Sequence, residues 1–314
     1  MSPELGAVVA RQLAAPCPPE ARAFAEQLAR EAGARAALFY GSVLRTGDLD
    51  GVLDFYLLAD EAKGGGLRGW LSRRIWPDVS YRHGEIGGRV LRAKVATMAL
   101  PTFARAAAGG SLDTTIWTRF VQPSALAYAA DAAAAEAVRK AIAAACETAA
   151  AYAAALGPAS GRAADYWQAL FRQTYIAELR VEKPGREREI IGFDPDRYEA
   201  LLPLAWASGG IAFAATDGVL QPSLSADENR RLRQAWSQRA RAGKALNVVR
   251  LVKAAFTFEG AARYAAWKIE RHTGVVVPLT PWRERHPVLA APGVAWRLWR
   301  ARRRMSAGRQ PDAR

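Results

Sequence analysis

Cysteine is almost missing from this chain: Cys17 and Cys146 stand alone in 314 residues. They lie far apart with no partner at metal-ligand spacing, which excludes a disulfide scaffold and a cysteine-ligated zinc site and fits a reducing cytoplasm. Histidine is as scarce. His83, His272 and His286 are scattered and form no HExxH pattern, so zinc-hydrolase chemistry is set aside. Long apolar runs are missing too. The stretch from Ala129 to Ala155 is interrupted by Asp131, Glu136, Arg139, Lys140 and Glu147, and the stretch from Leu201 to Ala215 is too short to cross a bilayer. The first residues lack the basic start and apolar centre of a secretory signal, so the chain is expected to remain inside the cell.

Acidic residues are outnumbered, with 30 Asp and Glu against 44 Lys and Arg, a formal charge of +14 and a pI near 10.3. Such a surface attracts polyanions, whether nucleic acid, an anionic membrane or a phosphorylated substrate, and charge alone does not choose among them. Hydrophobic residues at 51% and charged residues at 24% exclude wholesale disorder. The length admits two domains and a tail, enough for an enzyme with a separate substrate-covering part.

Apolar spacing predicts an opening helix over Pro18 to Ala32. Short β-rich runs at Ala36 to Tyr40, Val52 to Leu58 and Val90 to Met98 predict three strands, with turns at Lys63 to Gly69 and Gly84 to Gly88. From Ser124 to Leu156 alanine dominates, which favours long helices and places a domain junction near Pro123. The region from Gly161 to Gln238 has a helix around Tyr166 to Leu179. Pro184, Pro195, Pro203 and Pro222 break the remainder, as in a small α/β module or a mostly helical or winged-helix-like substrate domain. A last long helix is expected over Lys244 to Arg271, carrying Phe256, Tyr264 and Trp267 ahead of an arginine-rich tail. The divisions are therefore 1–123, 124–243 and 244–314, within an α/β class.

The most informative local pattern is Phe39-Tyr40-Gly41-Ser42 at a strand end, followed by Leu53-Asp54-Phe55-Tyr56-Leu57-Leu58. This matches the start of a polymerase-β-like nucleotidyltransferase. Gly41 lets backbone approach a triphosphate, Ser42 offers a hydroxyl and an amide to its oxygens, and a carboxylate on the next strand holds magnesium. Many proteins of that fold carry two carboxylates two positions apart, because alternate strand residues share a face. Here Val52 and Tyr56 flank Asp54 at that spacing, and Asp48 or Asp50 in the preceding turn is the candidate to complete a metal site. An ordinary glycine-serine turn among solvated aspartates is the alternative.

Further motifs follow in an order that resembles the soluble, mitochondrial-type phosphatidate cytidylyltransferases, also called translocator assembly and maintenance proteins, from about Phe39 to Tyr264. The Tyr-Gly-Ser strand end and a strand with the single aspartate Asp54 are similar to that family. So are Val79-Ser80-Tyr81, a basic residue on the following strand at Arg92 or Lys94, and Trp117-Thr118-Arg119-Phe120-Val121-Gln122-Pro123, in which Gln122 replaces a lysine. Tyr175-Ile176-Ala177-Glu178-Leu179-Arg180 resembles a family stretch with an acid two residues before an arginine. Lys253-Ala254-Ala255-Phe256-Thr257-Phe258-Glu259-Gly260, then Arg263-Tyr264, resembles the family's lysine-glycine-x-phenylalanine-threonine-alanine-glycine region.

The resemblance implies transfer of CMP from CTP to phosphatidic acid, giving CDP-diacylglycerol for phospholipid and cardiolipin synthesis, with Mg2+ as cofactor. It implies catalytic roles for Asp54, Arg119 and Lys253, and nucleotide binding by Tyr40, Gly41, Ser42 and Arg92. Arg180 and Glu178 would meet the substrate phosphate, and Asp54 with Asp48 or Asp50 would hold the metal. It also implies a cytoplasmic protein peripheral on the inner face of an anionic membrane. Trp282, Trp296 and Trp299 among Arg283, Arg285, Arg297, Arg300, Arg302, Arg303 and Arg304 suit such an interface. No specific nucleic acid is expected. The rival readings are transfer to a soluble hydroxyl or phosphate acceptor, and a non-catalytic basic protein that binds membrane or nucleic acid.

Overall fold

A computed structural model describes residues 1–61, 75–178, 185–257, 260, 262–263, 266, 269, 278–285 and 293. The expected opening helix is present as α2 (Pro19–Ala32), preceded by α1 (Pro3–Leu13). Each starts with proline in its first turn, where the missing N–H breaks no helical hydrogen bond. Ser2 caps α1 by accepting from the Leu5 amide at 3.2 Å, and Gly33 ends α2 in the left-handed region at φ 60°.

Five strands then build a mixed sheet. They are β1 (Ala36–Tyr40), β2 (Leu53–Ala59), β3 (Asp78–Ile86), β4 (Arg89–Ala99) and β5 (Ser124–Ala129), in the order β3-β4-β2-β1-β5. Strand β1 runs antiparallel to both β2 and β5, β2 is parallel to β4, and β3 and β4 form a hairpin. A short helix, α3 (Ser42–Thr46), fills the turn from β1 toward β2.

Alternation along the strands divides the core into two faces. Phe39, Phe55, Leu57, Leu91 and Val95 pack on one face with Phe24 and Leu28 of α2. Leu38, Tyr40, Tyr56, Leu58 and Met98 face the other way, under α4 (Leu100–Ala107), α5 (Thr115–Phe120) and α6 (Ala132–Leu156). That second core continues without a break into α7 (Ala163–Ala177), α8 (Arg186–Gly192) and α9 (Pro195–Ser208). The hairpin β6 (Ala212–Thr216) and β7 (Val219–Ser223) follows, then α10 (Ala226–Thr257) and the short α11 (Pro281–Arg285).

Three expectations change. The alanine-rich segment opens with strand β5 instead of helix, because pairing with β1 overrides the helical preference of Ser124-Ala125-Leu126-Ala127. The sheet therefore crosses the expected junction at residue 123. The last long helix begins at Ala226, well before Lys244, and so crosses the second expected junction as well. The middle region is mostly helical, one of the forms expected, with a two-stranded hairpin, but Pro203 sits inside α9 instead of breaking the chain there. Among the described residues no helix is long and apolar enough to cross a membrane.

Candidate functional site

The register of β1 and β2 sets Tyr40 directly opposite Asp54. Chain direction then changes at Gly41, whose φ of 93° lies where L side chains are rarely found. Space is restricted as well, since a Cβ at Gly41 would stand 2.6 Å from Asp54 Oδ2. The Asp54 carboxylate thus lies against bare backbone, immediately before Ser42.

Both residues open into a cleft of about 230 Å³. Its walls come from distant parts of the sequence: Tyr40, Gly41, Ser42 and Arg45 around α3, Asp54 from β2, Arg119, Gln122 and Pro123 from the end of α5, Tyr175 from α7, and Arg186 and Ile190 from α8. Arg45, Arg119 and Arg186 therefore meet a single carboxylate, Asp54, on the described wall. That balance selects an anion.

Burial pushes the Asp54 carboxyl above its ordinary value of 3.8, opposed by Lys94, Arg119 and Arg45. Burial also works against the charge of Arg119, but Tyr40, Tyr56, Glu178 and Asp54 outweigh it and hold the guanidinium above its ordinary range. The guanidinium carbon lies 5.2 Å from the centroid of the Tyr40 ring and 5.9 Å from that of Tyr56, so two aromatic faces fix its position. Arg45 is depressed by burial and then by repulsion from Arg186, and it rests 5.9 Å from the Phe193 ring centroid. An anion between Arg45 and Arg186 would relieve that repulsion.

Compared with protein-family models and with curated proteins, the chain finds no match.

The structure brings together Tyr40, Gly41, Ser42, Asp54 and Arg119 of the residues singled out in the sequence. It does not bring Asp48 or Asp50 to them. Both are exposed in the turn before β2, where the Asp50 amide donates to Asp48 Oδ1 at 3.0 Å and Asp50 pairs with Arg89 at 2.6 Å. Arg92 is half-buried on β4 opposite His83 and is not on the cleft wall. Lys253 is also away from the wall. Its ammonium is buried against Asp78 Oδ1 at 2.5 Å and donates to the Ile75 carbonyl, so it holds α10 to β3. Glu178 is buried behind the cleft and accepts from the Thr114 hydroxyl.

Arg180 lies outside the described residues, as do Leu179, Phe258, Glu259, Tyr264, Trp267, Trp296, Trp299, Arg297, Arg300, Arg302, Arg303 and Arg304. Of the expected interfacial tryptophans, Trp282 is described and exposed. Sequence reading missed Arg45 and Arg186. Arg45 carried a local signal, three residues beyond Ser42 on a helical turn, whereas only the packing of α8 against α7 and α9 brings Arg186 in.

The donor set bears on a metal. Among the described residues no group of three or more His, Cys, Asp or Glu side chains could hold an ion. Magnesium commonly takes one or two carboxylates and completes its shell with waters and substrate phosphates. Asp54 beside an arginine-lined cleft fits that shared mode, in which an ion would arrive with a polyphosphate, and does not fit an all-protein cage.

Proposed function

We propose that the cleft binds the triphosphate of CTP and that the protein is a magnesium-dependent phosphatidate cytidylyltransferase. One observation carries the reading: Asp54, Gly41 and Ser42 meet Arg45, Arg119 and Arg186 around one opening. The antiparallel pairing of β1 and β2, with Gly41-Ser42 at the end of one and Asp54 near the start of the other, supports a polymerase-β-like nucleotidyltransferase unit. The ordered motifs of the family resemblance supply the lipid acceptor.

In the reaction a phosphate oxygen of phosphatidic acid forms a bond to the α-phosphorus of CTP. The bond from that phosphorus to the bridging oxygen breaks, and pyrophosphate leaves with the electron pair. The acceptor is already anionic at neutral pH, so positioning replaces a general base. Gly41 allows phosphate oxygens to reach the backbone, and Ser42 offers its hydroxyl. Arg45, Arg119 and Arg186 offset charge that repels the two substrates from each other. Asp54 would hold magnesium, which supplies charge neutralisation at the attacking and leaving oxygens.

The test is incubation of the purified chain with labelled CTP, magnesium and vesicles containing phosphatidic acid. Lipid-linked CDP is the expected product, and Asp54→Ala should lower its rate by roughly a hundredfold or more, the scale of losing a principal electrostatic group. Label appearing only on soluble acceptors would replace the lipid reading with a soluble one. Turnover unaffected in Asp54→Ala would remove the cleft from the chemistry.

A further inference from the structure

The chain leaving α5 is pinned from two sides. Gln12 of α1 donates through Nε2 to the Gln122 carbonyl at 3.2 Å and to Ser124 Oγ at 3.1 Å. Arg197 of α9 donates through Nη2 to the Val121 carbonyl at 2.7 Å and to Gln12 Oε1 at 2.6 Å, which ties the two clamps together. The backbone N–H of Gln122 closes on the Arg119 carbonyl at 3.2 Å. Gln122 and Pro123, which line the cleft, thus stand on a backbone held by two other helices.

The half-buried Gln122 side chain has a fixed sense. Its Nε2 donates to the Thr118 carbonyl at 3.1 Å. A carbonyl can only accept, so the nitrogen is the end turned to α5. Oε1 has no hydrogen bond to protein among the described residues and is the end left for a ligand of the cleft. A carboxamide oxygen accepts and never donates, so it repels phosphate oxygens and selects an N–H or O–H donor. Where the resembling family carries a lysine, which only donates, this chain carries an acceptor.

Phosphatidic acid has no donor outside its phosphate, whereas CTP offers the exocyclic amino group of its base and the ribose hydroxyls. Pro123 beside Gln122, with Tyr175 and Ile190 also on the wall, adds uncharged surface of the kind that takes a flat base. An acceptor held in one sense separates the two pyrimidines, because uracil places an oxygen where cytosine places its amino group.

We infer that Gln122 is a specificity-determining residue, whose Oε1 accepts a hydrogen bond from the exocyclic amino group of cytosine and so selects CTP over UTP. The inference rests on the reading of the cleft as a nucleotide site, and it assigns the base to the side formed by Gln122 and Pro123.

The experiment measures binding of CTP, UTP, deoxy-CTP and inorganic tripolyphosphate to the full chain by calorimetry with magnesium present. The unaltered chain should prefer CTP over UTP by roughly tenfold to a hundredfold, the scale of leaving one polar group unpaired. Gln122→Leu should bring the two within about threefold of each other by removing that acceptor. Its affinity for tripolyphosphate should be unchanged, and deoxy-CTP should follow CTP in both proteins. Should Gln122→Leu not fold, Gln122→Met takes its place.

Equal affinity for CTP and UTP in the unaltered chain would overturn the inference, and so would a preference that survives in Gln122→Leu. A loss of tripolyphosphate binding in Gln122→Leu as large as the loss of CTP would also overturn it, since the side chain would then shape the phosphate site. A deficit for deoxy-CTP that Gln122→Leu abolishes would move the contact to the ribose and overturn the base assignment. Failure of the unaltered chain to bind tripolyphosphate would sink the phosphate reading separately. Free cytidine and uridine then decide: a preference for cytidine that depends on Gln122 supports the inference, and its absence overturns it.

Discussion

At Asp54 burial works against stability. Its folded-state pKa is raised, so the folded chain holds the proton more tightly than the unfolded chain does. Stability is therefore lost as pH climbs from the ordinary value of 3.8 through the raised one, and the cost is complete above it. Asp54→Asn should raise the melting temperature at neutral pH while abolishing turnover, and the gain should vanish below the ordinary carboxylate range. A melting curve unaffected at neutral pH would contradict this electrostatic account. Gly41 is constrained twice, by φ and by the 2.6 Å approach to Asp54 Oδ2. Gly41→Ala should cost about 1 kcal/mol or more in a denaturant titration and displace the carboxylate from the cleft. Both residues were visible in the sequence as a strand-end motif. Arg186 was not, because α8 follows β2 by more than a hundred residues and only packing returns it to the same opening.

Helix α10 shows how an element's role differs from its sequence signature. Its charges are spread almost all round it, and a polar helix of that kind ordinarily reads as a solvent-exposed one. The structure instead buries a ladder of Trp236, Arg239 and Lys253, with Trp236 packed beside Trp117 and Tyr152. Gly243 marks the closest crossing, since a Cβ there would stand 2.6 Å from the Ala177 carbonyl oxygen at the end of α7. Glycine to alanine in an exposed helix interior normally stabilises by roughly 1 kcal/mol. Gly243→Ala should do the opposite, costing about 1–3 kcal/mol by overpacking, and chemical denaturation will read the sign directly. The strand β5 was misread for a related reason. Alanine favours helix in isolation, but its small side chain also suits an edge strand beneath α1 and α2, and contact with β1 decides between them.

Across the whole molecule the core is continuous where the sequence suggested separate parts. Strand β5 completes the sheet beside β1, and α6 covers the face that holds Tyr40 and Tyr56. A fragment ending at Pro123 should therefore show no cooperative thermal transition by circular dichroism, whereas a sharp one would restore the junction expected there. The sequence by itself determined the α/β class, the strand-turn-strand unit at Tyr40 to Asp54, the positive charge and the candidate identity of Arg119. These depend on local periodicity, on glycine's access to positive φ, and on composition, all of which are properties of neighbouring residues. Only the tertiary structure decided that Arg45 and Arg186 join that unit, and that Asp48, Asp50 and Lys253 stand apart from it. Those outcomes depend on which distant helices share a buried face with the sheet, and side-chain contacts across such separations leave no spacing in the chain to read.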